Sequence, residues 1–356
     1  MMTGKNNQTE TLLMEHYRAY PNLQIKDVFK FLHQSSFGCE HLVTDPIAAI
    51  RYICDESKEC PVRRENLIEE LDGDFCRVHL GILKDGLSAN TLGRLFFLSA
   101  KPVEEGNSIL EEKLAVFCEM VEKGMLPFTP NKVKSEIAQW KALGYPACRH
   151  SQEFRNNYFP AYRVIDKRFI TFLPLLVQMD ALIQKGSLTM AIEGGSASGK
   201  TTLSHLLEMV YDACVFHMDD FFLRLEQRTP ERFAQPGGNV DRERFLEEVL
   251  MPLKNKKTIS YRAFDCSTLS IKSPVNIKPS RVNIIEGAYS MHPELSEYYN
   301  FSVFLDVCPT LQKERIGKRN TPAMAERFFT EWIPLEQYYF KEMQVKERCD
   351  MVLAIG

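Results

Sequence analysis

The sequence predicts two domains: a mainly α-helical domain over residues 1–186, and an α/β domain over residues 187–356 in which a parallel sheet lies between helices. In the first half, apolar residues recur at helical spacing in one segment after another. From Leu188 onward, short apolar runs alternate with helical stretches, an order typical of parallel strands joined by crossover helices. The length of 356 residues also favours two hydrophobic cores over one.

Seven segments of the first half are predicted to be helices, and turn-forming pairs such as Asp72-Gly73 and Thr129-Pro130 separate them. They span residues 11–19, 25–34, 46–54, 63–71, 92–100, 109–121 and 133–143. An apolar segment at 169–183 predicts a connecting helix, with Pro174 in its early turns and Gly186 just past its end. The domain boundary is therefore expected near residues 185–187.

Five strands are predicted in the second half, at residues 188–192, 213–217, 282–285, 301–305 and 351–354. A motif of the form G-x-x-x-x-G-K-[ST] follows the first of them and precedes a predicted helix over 203–210. The motif and the threonine after it consist of Gly194, Gly195, Ser196, Ala197, Ser198, Gly199, Lys200, Thr201 and Thr202. In this context, successive backbone N–H groups curl around an anion, and the start of the helix adds its positive dipole end.

This motif predicts a P-loop NTPase domain that binds a nucleoside triphosphate. Lys200 is expected to reach the β- and γ-phosphates, and the Thr201 hydroxyl is expected to help hold Mg²⁺. A phosphate-binding loop alone does not say what happens to the γ-phosphate, because ATPases, GTPases and several kinds of kinase share it. The ends of the other strands are needed to decide.

Carboxylates follow two other predicted strands. Asp219 and Asp220 come after the second strand, and Glu286 ends the third. The carboxyl ends of parallel strands face the crevice in which ligands bind. Asp219 lies closer to its strand end and is the candidate base for the proton of an attacking hydroxyl, whereas Glu286 is the candidate for organising Mg²⁺. A helix-capping role for Asp219 and a structural role for Glu286 are the alternatives.

In order and spacing, the segments 194–202, 217–222 and 284–287 resemble the motifs of the uridine kinase and phosphoribulokinase superfamily. Nicotinamide riboside kinases and bacterial pantothenate kinases are similar, and the resemblance covers residues 188–356. It implies that Asp219 is the catalytic aspartate and that Glu286 is the Walker B acid. It also implies an ATP- and Mg²⁺-dependent kinase that phosphorylates a hydroxyl of a small metabolite, with nucleosides first among the acceptors.

Two further stretches extend the resemblance. Residues 238–245 are similar to the family's Asn/Asp-Phe segment, and residues 260–265 are similar to the Tyr-Asp segment that lines the acceptor pocket of uridine kinases. The resemblance therefore implies that Asp241, Tyr261 and Asp265 contact the acceptor. Turn and strand-edge positions without such contact are the alternative for all three.

Two arginines are candidates for the lid over the transferring phosphoryl group. Arg315 and Arg319 are one helical turn apart, so they share a helix face, and guanidinium groups suit phosphate contacts. The resemblance places the family's lid arginines at this point, and a solvated helix face is the alternative. The usual Arg-Asp…Arg-Gly continuation of the lid is replaced here by residues 321–323, Thr-Pro-Ala, which leaves the acceptor open.

The first half resembles no family, and its polar residues concentrate in three segments. These are residues 34–41, 77–79 and 149–155, followed shortly by Tyr158, Tyr162 and Arg163. Histidines and arginines between helices could converge on an anionic ligand or a metal, although the spacing matches no metal motif. Buried structural histidines and helix ends are the alternative reading.

Composition limits the functions that remain. The 44 basic and 47 acidic residues leave a formal net charge of −3, so a dominant nucleic-acid surface is not expected. The chain has no apolar run of membrane-spanning length, no signal-peptide pattern and no Cys-x-x-Cys pair, which together predict a cytoplasmic protein with reduced thiols.

Two alternatives to a small-molecule kinase stay open, and the sequence leaves the oligomeric state undecided. One is a kinase for nucleic-acid 5′-hydroxyls that uses the helical half as a platform, which the near-neutral charge disfavours. The other is an ATP-gated switch acting on the first half. The carboxylate of Asp219 disfavours it, because a switch needs no hydroxyl base.

Overall fold

The computed structural model describes residues 2–39, 45–58, 60 and 66–356. The chain divides into two compact units, Met1–Asp180 and Ala181–Gly356. The boundary between them falls within the connecting helix that the sequence predicts. Among the helices of the described residues, none has both the length and the apolar character that crossing a bilayer requires.

Helices make up most of the first unit, as predicted. They are α1 (Met2–Ala19), α2 (Ile25–Phe37), α3 (Pro46–Lys58), α4 (Ala89–Ser99), α5 (Gly106–Glu122), α6 (Pro130–Ala142), α7 (Gln152–Tyr158) and α8 (Leu173–Lys185), with 3₁₀ helices at Leu80–Asp85 and Lys167–Phe172. Local chemistry sets several of their starts. The hydroxyls of Ser88 and Ser151 accept hydrogen bonds from the first-turn N–H groups of α4 and α7, and Pro130 begins α6.

The first unit also contains a three-stranded antiparallel sheet that the sequence analysis missed. Its strands are β1 (Ile68–Glu70), β2 (Phe75–His79) and β3 (Tyr162–Asp166), in the order β1-β2-β3. The predicted helix over 63–71 is therefore wrong for residues 68–70, and residues 63–65 lie outside the described part. Gly73, at φ +103, lies between β1 and β2, which pair as adjacent antiparallel strands.

The second unit is built on a five-stranded sheet in which all neighbouring strands are parallel. Its strands are β4 (Leu188–Gly194), β5 (Cys214–His217), β10 (Val282–Glu286), β11 (Phe301–Val307) and β12 (Met351–Ile355), in the order β12-β11-β4-β10-β5. Each contains most of a predicted strand, which confirms the predicted α/β fold class. Four short strands form two separate antiparallel pairs: β6 (Ile259–Tyr261), β7 (Phe264–Asp265), β8 (Ser270–Ile271) and β9 (Val275–Ile277).

The helices of the second unit lie in the connections between the strands of the five-stranded sheet. They are α9 (Lys200–Tyr211), α10 (Pro230–Phe233), α11 (Arg242–Phe245), α12 (Met251–Lys254), α13 (Pro293–Ser296), α14 (Pro309–Arg319), α15 (Pro322–Arg327), α16 (Ile333–Glu342) and α17 (Val345–Arg348). Short 3₁₀ helices span Met218–Phe221 and Leu225–Gln227, and π-helical turns span Leu246–Leu250 and Phe328–Trp332. The aromatic helix α16 packs on the sheet, where the rings of Phe340 and Phe304 lie 5.2 Å apart.

Candidate active site

Three parallel strand ends meet at one edge of the five-stranded sheet. Glu286, at the end of β10, is in register with Ile192 of β4 on one side and with His217 of β5 on the other. The phosphate-binding loop leaves the sheet just after Ile192, and Asp219 follows just after His217. The sheet therefore brings the three predicted motifs together, as expected for carboxyl ends of adjacent parallel strands.

The phosphate-binding loop runs from β4 directly into α9. Gly194 has φ +144, and a Cβ at this position would lie 2.7 Å from the Leu305 carbonyl oxygen, so a larger residue cannot occupy it without distortion. Helix α9 begins at Lys200, so the N–H groups of its first turn point toward the loop. The Lys200 ammonium donates to the carbonyl oxygens of Gly194 and Gly195, at 2.8 and 3.0 Å.

Thr201 and Glu286 provide the oxygen atoms that would suit Mg²⁺. The Thr201 hydroxyl donates to the Glu286 carboxylate at 3.2 Å, and Nδ1 of His217 lies 2.6 Å from the same carboxylate oxygen. Although burial opposes it, the bond to His217 holds the pKa of Glu286 below its ordinary value. A hydroxyl beside an ionised carboxylate matches the hard oxygen ligands that Mg²⁺ prefers.

The loop also contains a hydroxyl that fits a bound phosphate. Ser198 is buried, and within the described residues its Oγ has no hydrogen-bond partner. Buried polar atoms are rarely left unpaired, so this hydroxyl is suited to contact a ligand in the loop.

Asp219 lies in the 3₁₀ turn that follows β5 and is exposed to solvent. Partial loss of hydration raises the pKa of its carboxyl, and the positive charge of Lys200 opposes that shift. Glu286 and His217 also act on it electrostatically, so the four side chains form one electrostatic group. The neighbouring Asp220 accepts a hydrogen bond from the Tyr261 hydroxyl at 3.1 Å instead.

Helix α14 contacts the loop through Gln312 and Arg315. Gln312 donates to the Ser196 carbonyl at 2.8 Å, and Arg315 donates to the carbonyls of Ala197 and Ser198 at 3.1 and 3.3 Å. Arg319 does not take part, because it is exposed and its guanidinium lies 5.9 Å from the centre of the Phe328 ring. The structure thus brings one of the two predicted arginines to the loop.

Two buried carboxylates next to the loop were missed by sequence reasoning. Glu336 of α16 accepts hydrogen bonds from the backbone N–H and the hydroxyl of Ser196, and burial raises its pKa. Glu193 of β4 is fully buried and accepts from the N–H groups of Gly194 and Met291 and from the Tyr339 hydroxyl. An acid inside the apolar strand was the one available signal for Glu193. Nothing in the spacing of α16 singled out Glu336.

The three predicted acceptor contacts have local partners. Asp241 caps α11 and accepts from Arg244, while also lining a cavity of about 530 Å³ rich in charged residues. Tyr261 is buried, and its ring stacks on Phe221 at 5.5 Å. Asp265 accepts from the backbone and hydroxyl of Ser267, as in an Asx turn. Their contact with an acceptor stays a prediction.

The polar segments of the first unit converge on a buried arginine. Arg77 is fully buried and donates to the Gln34 side-chain oxygen at 2.9 and 2.8 Å and to Glu69 at 3.2 and 3.3 Å. Its guanidinium lies 4.6 Å from the centre of the Tyr162 ring. Glu40 and His41, part of the first of these segments, lie outside the described residues. No cluster of three or more potential metal ligands occurs in the described ranges.

Comparisons with known proteins find solved structures of similar fold for about half of the chain. Neither protein families nor curated protein sequences match it. Among solved structures it is similar to a possible uridine kinase from Bacillus stearothermophilus, at 24% identity and TM-score 0.38, covering 51% of this chain and 99% of the other.

It is also similar to a possible fructose transport system kinase from a Silicibacter species, at 24% identity and TM-score 0.40, covering 48% and 97% of the two chains. A shikimate kinase from Aquifex aeolicus follows at 16% identity and TM-score 0.25, covering 47% and 85%. Similarity at this level concerns the fold and assigns no substrate.

The fold class of the second unit rests on its own geometry. A parallel sheet with a phosphate-binding loop between β4 and α9 is a P-loop NTPase fold.

Proposed function

We propose that the chain is an ATP-dependent phosphotransferase that phosphorylates a hydroxyl group of a small metabolite, with nucleosides first among the acceptors. One observation carries the proposal. The carboxylate of Asp219 follows the strand next to β10, so it shares a sheet edge with Lys200 and Glu286 and is electrostatically coupled to both. A P-loop protein that only binds or switches has no need of a carboxylate there, whereas transfer to a hydroxyl needs a proton acceptor.

Each side chain at the carboxyl ends of these strands has a role in this proposal. The N–H groups of the loop and the ammonium of Lys200 hold the phosphates, and Asp219 takes the proton of the acceptor hydroxyl. Thr201 and Glu286 would hold Mg²⁺, which when bound neutralises charge between the β- and γ-phosphates. Arg315, which donates to a carbonyl of the loop, would stabilise charge on the transferring group, and Arg319 would have to leave the Phe328 ring to join it.

The test is an assay of ATP consumption by the full chain with a panel of nucleosides, sugars and other small alcohols, and with one 5′-hydroxyl oligonucleotide. Mass spectrometry of the product then identifies the phosphorylated atom. Phosphorylation of a small alcohol is the expected result. ATP consumption that depends on the oligonucleotide alone, or on no acceptor at all, would contradict the proposal.

Asp219→Asn is the matching variant and Asp220→Asn its control, because the two carboxylates are adjacent but Asp220 is engaged by Tyr261. Asp219→Asn should retain ATP binding and lose about 10²- to 10⁴-fold in kcat, the usual contribution of a general base. Asp220→Asn should lose much less. Turnover by Asp219→Asn at the wild-type rate would remove Asp219 from the role of base.

A further inference from the structure

The first unit contains a pocket that the phosphotransferase proposal does not use. It has a volume of about 340 Å³, at the lower end of small-molecule sites, and lies between α2, α3, α4 and β3. All of its lining residues belong to Met1–Asp180. We call it the Lys30 pocket, and its polar lining includes Lys30, Gln34, Glu56, His150, Tyr162 and Arg163.

Lys30 is a partly buried cation of this pocket. Within the described residues its ammonium donates to the Cys148 carbonyl at 3.0 Å and forms no ion pair with a carboxylate. Burial lowers the pKa of Lys30 to about 8, and the charge of Arg77 adds to the effect, whereas the charge of Asp27 opposes it. Lys113, a buried lysine of this unit, has by contrast Asp72 at 3.6 Å. A desolvated charge that lacks such a partner is costly, and an anion in the pocket would relieve that cost.

The other cation of the pocket is already paired. Arg163 donates to the Glu56 carboxylate at 2.8 Å and to the Tyr162 carbonyl at 2.9 Å. The charge available to a ligand is therefore that of Lys30.

Gln34 supplies a neutral donor beside Lys30. Two N–H groups of Arg77 donate to its side-chain oxygen, at 2.9 and 2.8 Å, and this fixes which end of the amide is oxygen. The amide nitrogen can only donate, and in the described part of the chain no acceptor is within hydrogen-bond distance of it. A lysine and an amide N–H in one pocket are donors that suit a carboxylate or a phosphate group.

Tyr162 supplies an acceptor, because a chain of hydrogen bonds orients its hydroxyl. Asp27 accepts from Nδ1 of His150 at 3.1 Å, and Nε2 of His150 lies 2.7 Å from the Tyr162 oxygen. Despite burial, bonds from His150 and Ser151 hold the pKa of Asp27 at about 2, and burial lowers the pKa of His150 to about 4. With Asp27 ionised and His150 neutral, the Tyr162 hydrogen points to Nε2 at 2.7 Å rather than to the Gln34 side-chain oxygen at 3.4 Å. The lone pairs of the Tyr162 oxygen are then available to a donor on the ligand.

We propose that the Lys30 pocket binds a small metabolite that carries one oxyanion, a carboxylate or a phosphate group, and one hydroxyl group. Lys30 and Gln34 contact the oxyanion, and the Tyr162 oxygen accepts from the hydroxyl. The pocket is lined within the first unit alone, so this binding is independent of the phosphotransferase chemistry proposed for the second.

The test uses the unaltered full chain and the reactivity of Lys30 as readout. Acetic anhydride labels amines at about pH 8, and mass spectrometry gives the extent of labelling at each lysine. Lactate, glycerol 3-phosphate and inorganic phosphate are added in turn at about 10 mM, which is tenfold above a weak Kd of about 1 mM, against sodium chloride of equal ionic strength.

At least one probe should slow the labelling of Lys30 without affecting Lys26, an exposed lysine one helical turn earlier on α2. Protection by lactate identifies a carboxylate ligand. Protection by glycerol 3-phosphate more than by inorganic phosphate identifies a phosphate ester. Equal labelling of Lys30 with all three probes and with sodium chloride overturns the proposal.

Two variants separate the contacts by calorimetry with the probe that protects best. Lys30→Met should weaken binding about tenfold or more, and the control Lys26→Met should not, because only the former removes a charge-assisted hydrogen bond. Tyr162→Phe should reduce the preference for lactate over propionate, which lacks the hydroxyl. Unchanged affinity in Lys30→Met overturns the proposal, and if that variant does not fold, the labelling experiment on the unaltered chain still decides.

Discussion

Glu336 and Ser196 are joined by two hydrogen bonds: the Ser196 backbone nitrogen lies 2.8 Å, and its hydroxyl oxygen 2.6 Å, from the two oxygens of the Glu336 carboxylate. Ser196 belongs to the loop whose N–H groups are expected to receive phosphate. A carboxylate of the protein itself therefore accepts hydrogen bonds from two donors of the loop. Its negative charge also acts on Lys200 and Asp219.

Replacing Glu336 by Gln is expected to strengthen ATP binding about three- to tenfold, because the change removes a negative charge beside the triphosphate and keeps one acceptor for Ser196. Fluorescence titration with ATP measures the effect. The control is Glu331→Gln, which removes an exposed charge that pairs with Arg327. Weaker ATP binding by Glu336→Gln would show that the carboxylate holds the loop in its binding shape.

Glu193 should make the second unit less stable as pH rises. Burial raises the pKa of this carboxyl to about 7, against an ordinary value of 4.5. Between these values the folded chain holds a proton that the unfolded chain has released, so the free energy of unfolding falls with increasing pH and levels off above about pH 7. The loss is at most about 3 kcal/mol.

Glu193→Gln is neutral throughout and should lack this fall. Denaturant unfolding from about pH 5 to about pH 8 measures it, with Trp332 fluorescence as the reporter in a Trp140→Phe background. The two tryptophans lie in different units, so this background reports on the second unit alone. Glu342→Gln, an exposed change on α16, should follow the wild-type pH dependence. If the free energy of unfolding varies with pH in the same way in the wild type and in Glu193→Gln, the prediction is wrong.

Gly287, directly after Glu286, should not tolerate a side chain. Its φ is +142, and a Cβ would lie 2.6 Å from the Cβ of Met218. Gly287→Ala is expected to cost about 1–3 kcal/mol and to shift Glu286 relative to Thr201, which would weaken Mg²⁺-dependent ATP binding. Thermal unfolding and ATP titration with and without Mg²⁺ measure both effects.

Gly317→Ala is the matched control for this change. Gly317 lies within α14, and an added Cβ would meet no atom within 4 Å. Because alanine favours a helix over glycine, the variant should be more stable by about 0.4–1 kcal/mol. If Gly287→Ala behaves like Gly317→Ala, the close approach to Met218 does not constrain the site.

Arg77→Met should destabilise the first unit by about 3–5 kcal/mol, because the largely buried Glu69 carboxylate would lose its guanidinium partner and be left with Nδ1 of His16, 2.6 Å away. Unfolding followed by Trp140 fluorescence in a Trp332→Phe background reports on this unit. Arg168→Met, which removes an exposed pair with Asp166, should cost about 0–1 kcal/mol. Adding Glu69→Gln to Arg77→Met should restore part of the loss, and full additivity of the two changes would contradict the pairing.

Sequence reasoning succeeded where the signal is local. The phosphate-binding loop is contiguous, and Asp219 and Glu286 stand at strand ends that adjacent parallel strands align automatically. It failed where the partner is remote. Glu336 meets Ser196 from a distant helix, and Arg77 interrupts the apolar pattern of β2 because its charge is balanced by Glu69 across the hairpin. Strands β2 and β3 were missed for the same reason, because polar side chains in a buried strand mask the alternation of apolar and polar residues that predicts a strand.

The order of the five-stranded sheet has a consequence for how the second unit forms during synthesis. Strand β4 leaves the ribosome first, but its two neighbours are β10 and β11, with Leu188 paired to Val282 and Met190 paired to Phe301. The phosphate-binding loop therefore emerges long before either of the two strands that pair with β4 has been synthesised. Such non-local pairing slows folding and leaves apolar strand edges exposed in the nascent chain. Ribosome-bound chains arrested before β10 should consequently be sensitive to protease within β4, and chains arrested after β12 should resist it.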